Sequence, residues 1–240
     1  MNFQGRCAIV TGAAAGIGFA SAELLAEGGA SLYLTDIDGE KLEESAQKLR
    51  ETGVTVYTAA GDVADEKSAY AAVTDAAQKF GKIDILVNNA GIYRTKRTSF
   101  ADSEPDTWRR KIDVNIYGTL YYTHAVLPHM LKAGYGRIVN LSSVAAVYGI
   151  AMMTDYSMTK GAILGFTKAL AKEVTASGVT VNAVSPGSIS DDPDKMPNHS
   201  FMGRSGSFRE CAQVIAFLAS EEASYVSGQN YIVDGCRKLM

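Results

Sequence analysis

The strongest constraint on the fold lies at the front of the chain. There a short apolar run, Cys7-Ala8-Ile9-Val10-Thr11, stops at the glycine string Gly12-Ala13-Ala14-Ala15-Gly16-Ile17-Gly18. An unbroken apolar run of this length reads as a strand buried on both faces, the habit of parallel sheets. A helix is expected over 16–27, with Ile17, Phe19, Leu24 and Leu25 packed inward and Gly28-Gly29 closing it. The alternation then continues. Strands are expected over 31–36, 54–59, 83–88, 137–141, 179–184 and 229–233, and helices over 39–51, 66–80, 108–132 with a break near Gly118, 154–175 and 208–220. Strands alternating with helices at this rhythm predict an α/β domain, a doubly wound (Rossmann) parallel sheet covered on both faces and joined by right-handed crossovers. Such a sheet binds ligands beyond the carboxyl ends of its strands.

No repeat or linker divides the 240 residues, so 1–240 is expected to be a single domain. Residues 188–206 are the exception, a mobile excursion holding Pro193, Pro197 and the aspartates 191, 192 and 194. A hydrophobic fraction of 47% supports a sizeable core. The net charge of -3 supplies no basic field, which argues against nucleic acid or anionic membrane as a partner. Cys7, Cys211 and Cys236 are scattered and odd in number, the pattern of reduced thiols rather than of a disulfide framework. No metal-ligand spacing occurs among them or among His124, His129 and His199, which are expected to pack or face solvent. No charged-then-apolar leader opens the sequence and no apolar run reaches the ~20 residues of a membrane span, so a cytoplasmic location is expected.

The position of the glycine string gives it meaning. At a strand-to-helix turn, glycines permit tight turning and close backbone approach, and the helix N-terminus attracts a pyrophosphate. Asp36 ends the second strand, where its carboxylate can accept bonds from ribose hydroxyls and would repel a 2'-phosphate. No Arg or Lys occurs in the loop or in Thr35-Asp36-Ile37-Asp38, so NAD(H) is favoured over NADP(H). Asp38 is expected to cap the following helix.

Further on, Tyr156 and Lys160 stand four residues apart. On a helix they share a face, and an ammonium beside a phenol favours phenolate, so the pair is expected to act as an acid/base unit with a lowered tyrosine pKa.

With these two motifs the sequence resembles the short-chain dehydrogenase/reductase family over nearly its whole length. Asp62-Val63 looks like the family's adenine-contacting pair, and Asn88-Asn89-Ala90-Gly91 like the motif after its fourth strand. Asn115 stands where the family keeps its active-site asparagine, and Ser143 where it keeps its catalytic serine, with Ser142 a rival. Pro186-Gly187 resembles the nicotinamide-flanking pair, and Val233-Asp234-Gly235 the motif closing the last strand.

The resemblance implies a sheet of about seven strands and an oxidoreductase that interconverts a secondary alcohol and a ketone. In it Tyr156 would pass a proton to or from the substrate oxygen, while Lys160 would stabilise tyrosinate and hold the nicotinamide ribose. Ser143 would stabilise the developing alkoxide, and Asn115 would position a water for proton relay. The expected cofactor surface is Gly12, Ala15, Gly16, Ile17, Gly18, Asp36, Ile37, Asp62, Val63, Asn89, Ala90, Gly91, Tyr156, Lys160, Pro186, Gly187 and Ile189. A 3-oxoacyl thioester reductase and a non-catalytic NAD-binding sensor or scaffold are the alternatives. The Tyr-to-Lys interval is shorter than in the related enoyl reductases, which favours C=O over C=C reduction.

Two departures from the family pattern stand out. Asp191 occupies the usual threonine position of nicotinamide anchoring, with Ser190 as the nearest hydroxyl, and the segment before Gly203-Arg204 is shorter than the usual substrate lid. Arg94, Lys96 and Arg97 near the rim are read as a solvated loop, and Cys236 stands where a glycine is usual. A homotetramer, with a homodimer as the alternative, is implied through the helices bearing Tyr117, Leu120, Tyr121 and Tyr122 and Ile163 to Leu170. The substrate, an alcohol or ketone of small molecular size, is not chosen by the sequence.

Overall fold

The computed structural model describes residues 1–93, 97–192 and 199–238. Seven parallel strands form one sheet in the order β3-β2-β1-β4-β5-β6-β7. They are β1 Cys7–Thr11, β2 Ser31–Asp36, β3 Val56–Ala60, β4 Ile85–Asn88, β5 Gly136–Leu141, β6 Val179–Pro186 and β7 Asn230–Val233. The helices are α1 Gly16–Glu27, α2 Gly39–Arg50, α3 Glu66–Phe80, α4 Pro105–Ile112, α5 Gly118–Ala133, α6 Val144–Tyr148, α7 Thr154–Val174 and α8 Phe208–Ala219.

Alternate residues of each strand enter different cores. Ala8, Val10, Leu32, Leu34, Ile85 and Val87 pack against α1, α2 and α8, whereas Ile9, Tyr33 and Leu86 pack against α3, α5 and α7. Burial on both faces explains why these strands read as continuous apolar runs. Each fully buried Leu or Ile contributes about 1.5–3 kcal/mol. β1 pairs with β2 on one side and β4 on the other, so the strand order reverses there and a crevice opens beyond their carboxyl ends.

The helix starts follow local chemistry. Asp38 accepts from Lys41 N at the start of α2, as expected of it, and Asp65 caps α3 in the same way. Ser207 and Glu210 form a reciprocal capping box on α8.

Several boundaries differ from the sequence expectation. β3 and β4 begin two residues later than expected, while β6 runs on to Pro186. The long helix expected over 108–132 is α4, which starts at Pro105, then a π-helical turn Asp113–Tyr117, then α5. Pro105 is suited to a first helical turn, where no N–H is needed. Glycine at 118 has a packing reason: a Cβ there would come within 2.7 Å of Val63 Cγ2. The short helix α6 was not expected; Ser143 caps it and Gly149, at φ 71, ends it. Tyr122 and Ile163, on the helices expected to carry the interface, are core residues at 3% and 1% exposure, whereas Tyr117, Gly165, Lys168 and Ala169 are exposed. Among the described residues no helix is long and apolar enough to cross a membrane, and no cluster of residues could hold a metal ion.

Candidate active site

The glycine turn is held from behind. Thr11 Oγ1 accepts from the backbone N–H groups of Asn89 and Ala90, and Asn89 Nδ2 donates to the carbonyls of Thr11 and Gly12, each at 2.9 Å. Gly12 has φ +66, and a Cβ there would come within 2.8 Å of Ala90 Cα. A Cβ on Gly18 would overlap the Gly12 carbonyl. The turn therefore closes only with glycine at both positions. In front, α1 begins without a side-chain cap and with no acidic residue in its first turn. Its free N–H donors and positive dipole end face a cavity of about 750 Å³ lined there by Ala14, Ala15, Gly16 and Ile17.

Asp36 closes this end of the cavity, its carboxylate accepting from Ala14 N at 3.0 Å and Asp38 N at 3.1 Å. Ile37, Asp62 and Val63 line the same end. Asp62 is already engaged, bonding Arg110 at 2.6 Å and Ala64 N at 2.9 Å. Arg110 and Lys41 also line the wall, and sequence spacing alone did not reveal either cation. The open helix terminus, the glycine cradle and the carboxylate at the end of β2 fit a dinucleotide.

The cavity continues to the carboxyl end of β5. Ser143, Tyr156 and Lys160 line it together, with Gly91, Pro186, Gly187 and Ile189. Ser143 stands between β5 and α6, and Tyr156 and Lys160 lie on successive turns of α7. The rival Ser142 lines the cavity too, but its hydroxyl is engaged, donating to the Lys160 carbonyl at 2.8 Å. Two residues of the expected set stand behind the wall. Gly18 is buried beneath the turn. Asn115 is wholly buried, its Oδ1 accepting from Ile92 N and its Nδ2 donating to Ile92 O and Thr159 Oγ1. Both amide hydrogens are thus engaged within the protein, so the side chain itself holds the segment after β4 in place. Asn89 likewise acts as a clamp on the glycine turn.

The expected lowering of the tyrosine pKa is reversed. Burial pushes the Tyr156 phenol up, a hydrogen bond with Ser143 pulls it down, and the neighbouring Tyr93 pushes it up further. Lys160 has its own pKa lowered to about 8 by burial, and its ammonium donates to the Leu141 carbonyl at 2.7 Å. Desolvation is the largest influence on both groups. A Cβ on Gly91 would come within 3.3 Å of Lys160 Nζ, so glycine there leaves the ammonium room.

Behind Tyr156 lies a pairing that sequence reading missed. Lys111 on α4, 2% exposed, is ion-paired with Asp155, whose other carboxylate oxygen accepts from Tyr156 N at 2.7 Å. The two residues are 44 positions apart, and no local pattern marks them.

At the far wall, the Ser190 N–H donates to Gly206 O, and the Ser190 hydroxyl oxygen accepts from Asp192 N. The Asp191 carboxylate turns to the start of α8 and accepts from Phe208 N, which accounts for its place in the sequence. His199, expected to pack or face solvent, lines the cavity and bonds Ser188 Oγ at 2.9 Å. Arg97, expected in a solvated loop, lines it too, as does Arg237. Arg94, Lys96, Pro193, Asp194 and Pro197 lie outside the described residues. Cys236 has φ 58, a conformation that glycine adopts most readily, and its thiol is exposed and free.

Comparison with known proteins gives a consistent result. The family model described as enoyl-(acyl carrier protein) reductase matches residues 12–236. A 3-oxoacyl-[acyl-carrier-protein] reductase of Thermotoga maritima is 38% identical over 244 residues, covering 98% of both chains. A 2-dehydro-3-deoxy-L-rhamnonate dehydrogenase (NAD(+)) of a Sphingomonas species is 39% identical over 248 residues, covering 98% of this chain and 96% of that one. The crystal structure of an NAD+-bound xylitol dehydrogenase superposes with a TM-score of 0.94 at 32% identity, over 98% of this chain and 100% of that one.

Proposed function

Because the chain belongs to the short-chain dehydrogenase/reductase family, we propose that it interconverts a secondary alcohol and a ketone with NAD(H). The observation that carries this reading is the meeting of Ser143, Tyr156 and Lys160 in one cavity whose other end is the open terminus of α1. NAD(H) supplies or accepts the hydride. Tyr156 gives its phenolic proton to the ketone oxygen in reduction and takes it back from the alcohol in oxidation. Ser143 donates to the same oxygen and stabilises the charge that develops on it. Lys160 stabilises tyrosinate as the proton leaves and holds the nicotinamide ribose. A buried phenol with a raised pKa remains a proton donor in the reductive direction, and the Lys160 charge is what makes its deprotonation accessible in the oxidative one.

Asp36 supports NAD(H) over NADP(H), since a 2'-phosphate would face its carboxylate. The interval from Tyr156 to Lys160 supports C=O rather than C=C reduction. Buried unpaired Cys7 and Cys211 support a reducing, cytoplasmic setting. A homotetramer, or failing that a homodimer, is supported by the stacked pair Tyr117 and Tyr121, ring centroids 5.9 Å apart, with Tyr117 45% exposed on the outside of the fold. Light scattering of the purified protein tests the assembly.

The reaction is tested by assaying a panel of secondary alcohols and ketones with NAD(H) and NADP(H), read as nicotinamide absorbance. The proposal expects turnover with NAD(H) on at least one member. A protein that binds NADH yet turns over nothing on the panel would instead be a sensor or scaffold.

A further inference from the structure

Every other arginine among the described residues, from Arg6 to Arg209, bonds a carboxylate. Arg97 and Arg237 do not, and both line the cavity that Ser143 and Tyr156 also line. Among the described residues the carboxylates that line the cavity are Asp36, Asp38 and Asp62, which stand with the glycine turn and the end of β2.

Arg237 is not a loose tail residue. Its strand pairs antiparallel with the segment at Ser200, and bonds from Phe201 N to Cys236 O at 2.9 Å and from Lys238 N to His199 O at 3.0 Å fix it there. The turn at Cys236, held by its N–H on Asp234 Oδ1 at 3.0 Å, sets the direction in which the chain enters Arg237. Arg97 follows in the chain the segment that carries Tyr93, whose ring lies 6.2 Å from that of Tyr156, and Thr98 N bonds Met152 O beside the lining residue Met153. Two guanidinium groups in a cavity wall, neither bonded to a carboxylate among the described residues, are a site for an oxyanion.

We propose, resting on the reaction assigned above, that the substrate carries an anionic group, a carboxylate or a phosphate ester, bound by Arg237 and Arg97 while its carbinol or ketone carbon lies at Tyr156 and Ser143. The arginines bind and orient; the proton and hydride steps are unchanged.

Turnover is compared on matched pairs: hydroxycyclohexanecarboxylate against cyclohexanol, and xylitol phosphate against xylitol. The expected result is a kcat/KM at least about tenfold higher for the charged member of one pair, the pair that responds naming carboxylate or phosphate. In Arg237→Gln that ratio collapses through KM, in Arg97→Gln it falls less, and Arg237→Lys restores part of it. Binding is read without turnover by calorimetry of cyclohexanecarboxylate, cyclohexanecarboxamide and glycerol phosphate on the NADH-loaded protein. One of the anions should bind at least about tenfold tighter than the amide and lose that advantage in Arg237→Gln. The inference is overturned if no anion binds better than the amide, or if Arg237→Gln weakens NADH instead. Loss of all turnover with anion binding intact would sink the assigned reaction and leave the arginine site standing.

Discussion

The Lys160 ammonium donates to the Leu141 carbonyl at 2.7 Å, deep in the wall where β5 meets α7. Burial there lowers the lysine pKa to about 8 from its ordinary 10.5. Between those values the unfolded chain holds a proton that the folded chain has released, so stability without cofactor rises with pH across that window. The full penalty on the charged form applies below about 8 and amounts to roughly 3 kcal/mol. Chemical denaturation at pH 7 and pH 10 checks this: wild type should gain on Lys160→Met as pH rises, and a difference that stays flat would contradict it.

The pair Lys111 and Asp155 carries a second expectation. Lys111→Met leaves the Asp155 carboxylate without its cation in a mostly buried site and should cost about 3–5 kcal/mol. The double variant Lys111→Met/Asp155→Leu should recover most of that loss. Urea midpoints of the single and double variants decide it. Equal loss in both would show that the charge balance is not what matters.

Gly18→Ala tests the cradle. The added methyl would overlap the Gly12 carbonyl and crowd Asn89 Nδ2, both fixed by the turn. Overpacking of this kind costs roughly 1–3 kcal/mol, and NADH affinity should fall with stability. Gly161→Ala, where a Cβ meets nothing within 4 Å, is the control and should leave both intact.

The strand, glycine turn and helix at the front of the cavity were legible from the sequence because their signals are local. A run of glycines between an apolar strand and a helix, and an aspartate closing the next strand, are each visible within a few residues of chain. Tyr156 and Lys160 were legible for the same reason, both lying on α7. What escaped has its partner far away in the chain. Lys111 finds Asp155 only through the packing of α4 on α7, and Arg237 reaches the cavity only because the C-terminal strap pairs with Ser200. The direction of the Tyr156 pKa was misjudged because burial, which sequence spacing does not display, is the largest influence on it. A break near Gly118 was legible, but the close packing of Gly118 on Val63 is a tertiary contact that the local sequence does not show.

Asp36→Asn removes the charge facing the adenosine ribose and should shift the NADP-over-NAD preference upward by roughly tenfold, about 1.4 kcal/mol. Lys41, on the same wall, is then a cation open to a 2'-phosphate, so Asp36→Asn/Lys41→Gln should give part of the shift back. Ratios of kcat/KM for the two cofactors measure both. An unchanged ratio in Asp36→Asn would refute the role given to this carboxylate.

The central claim, that Tyr156 moves the proton at a substrate oxygen, is tested most directly by turnover of Tyr156→Phe on the best alcohol found for the wild type, with NADH affinity measured on the same sample. Loss of the acid/base group should lower kcat by about 10²–10⁴-fold while NADH still binds. Turnover within about threefold of wild type, well short of the loss of a general acid, would contradict the account.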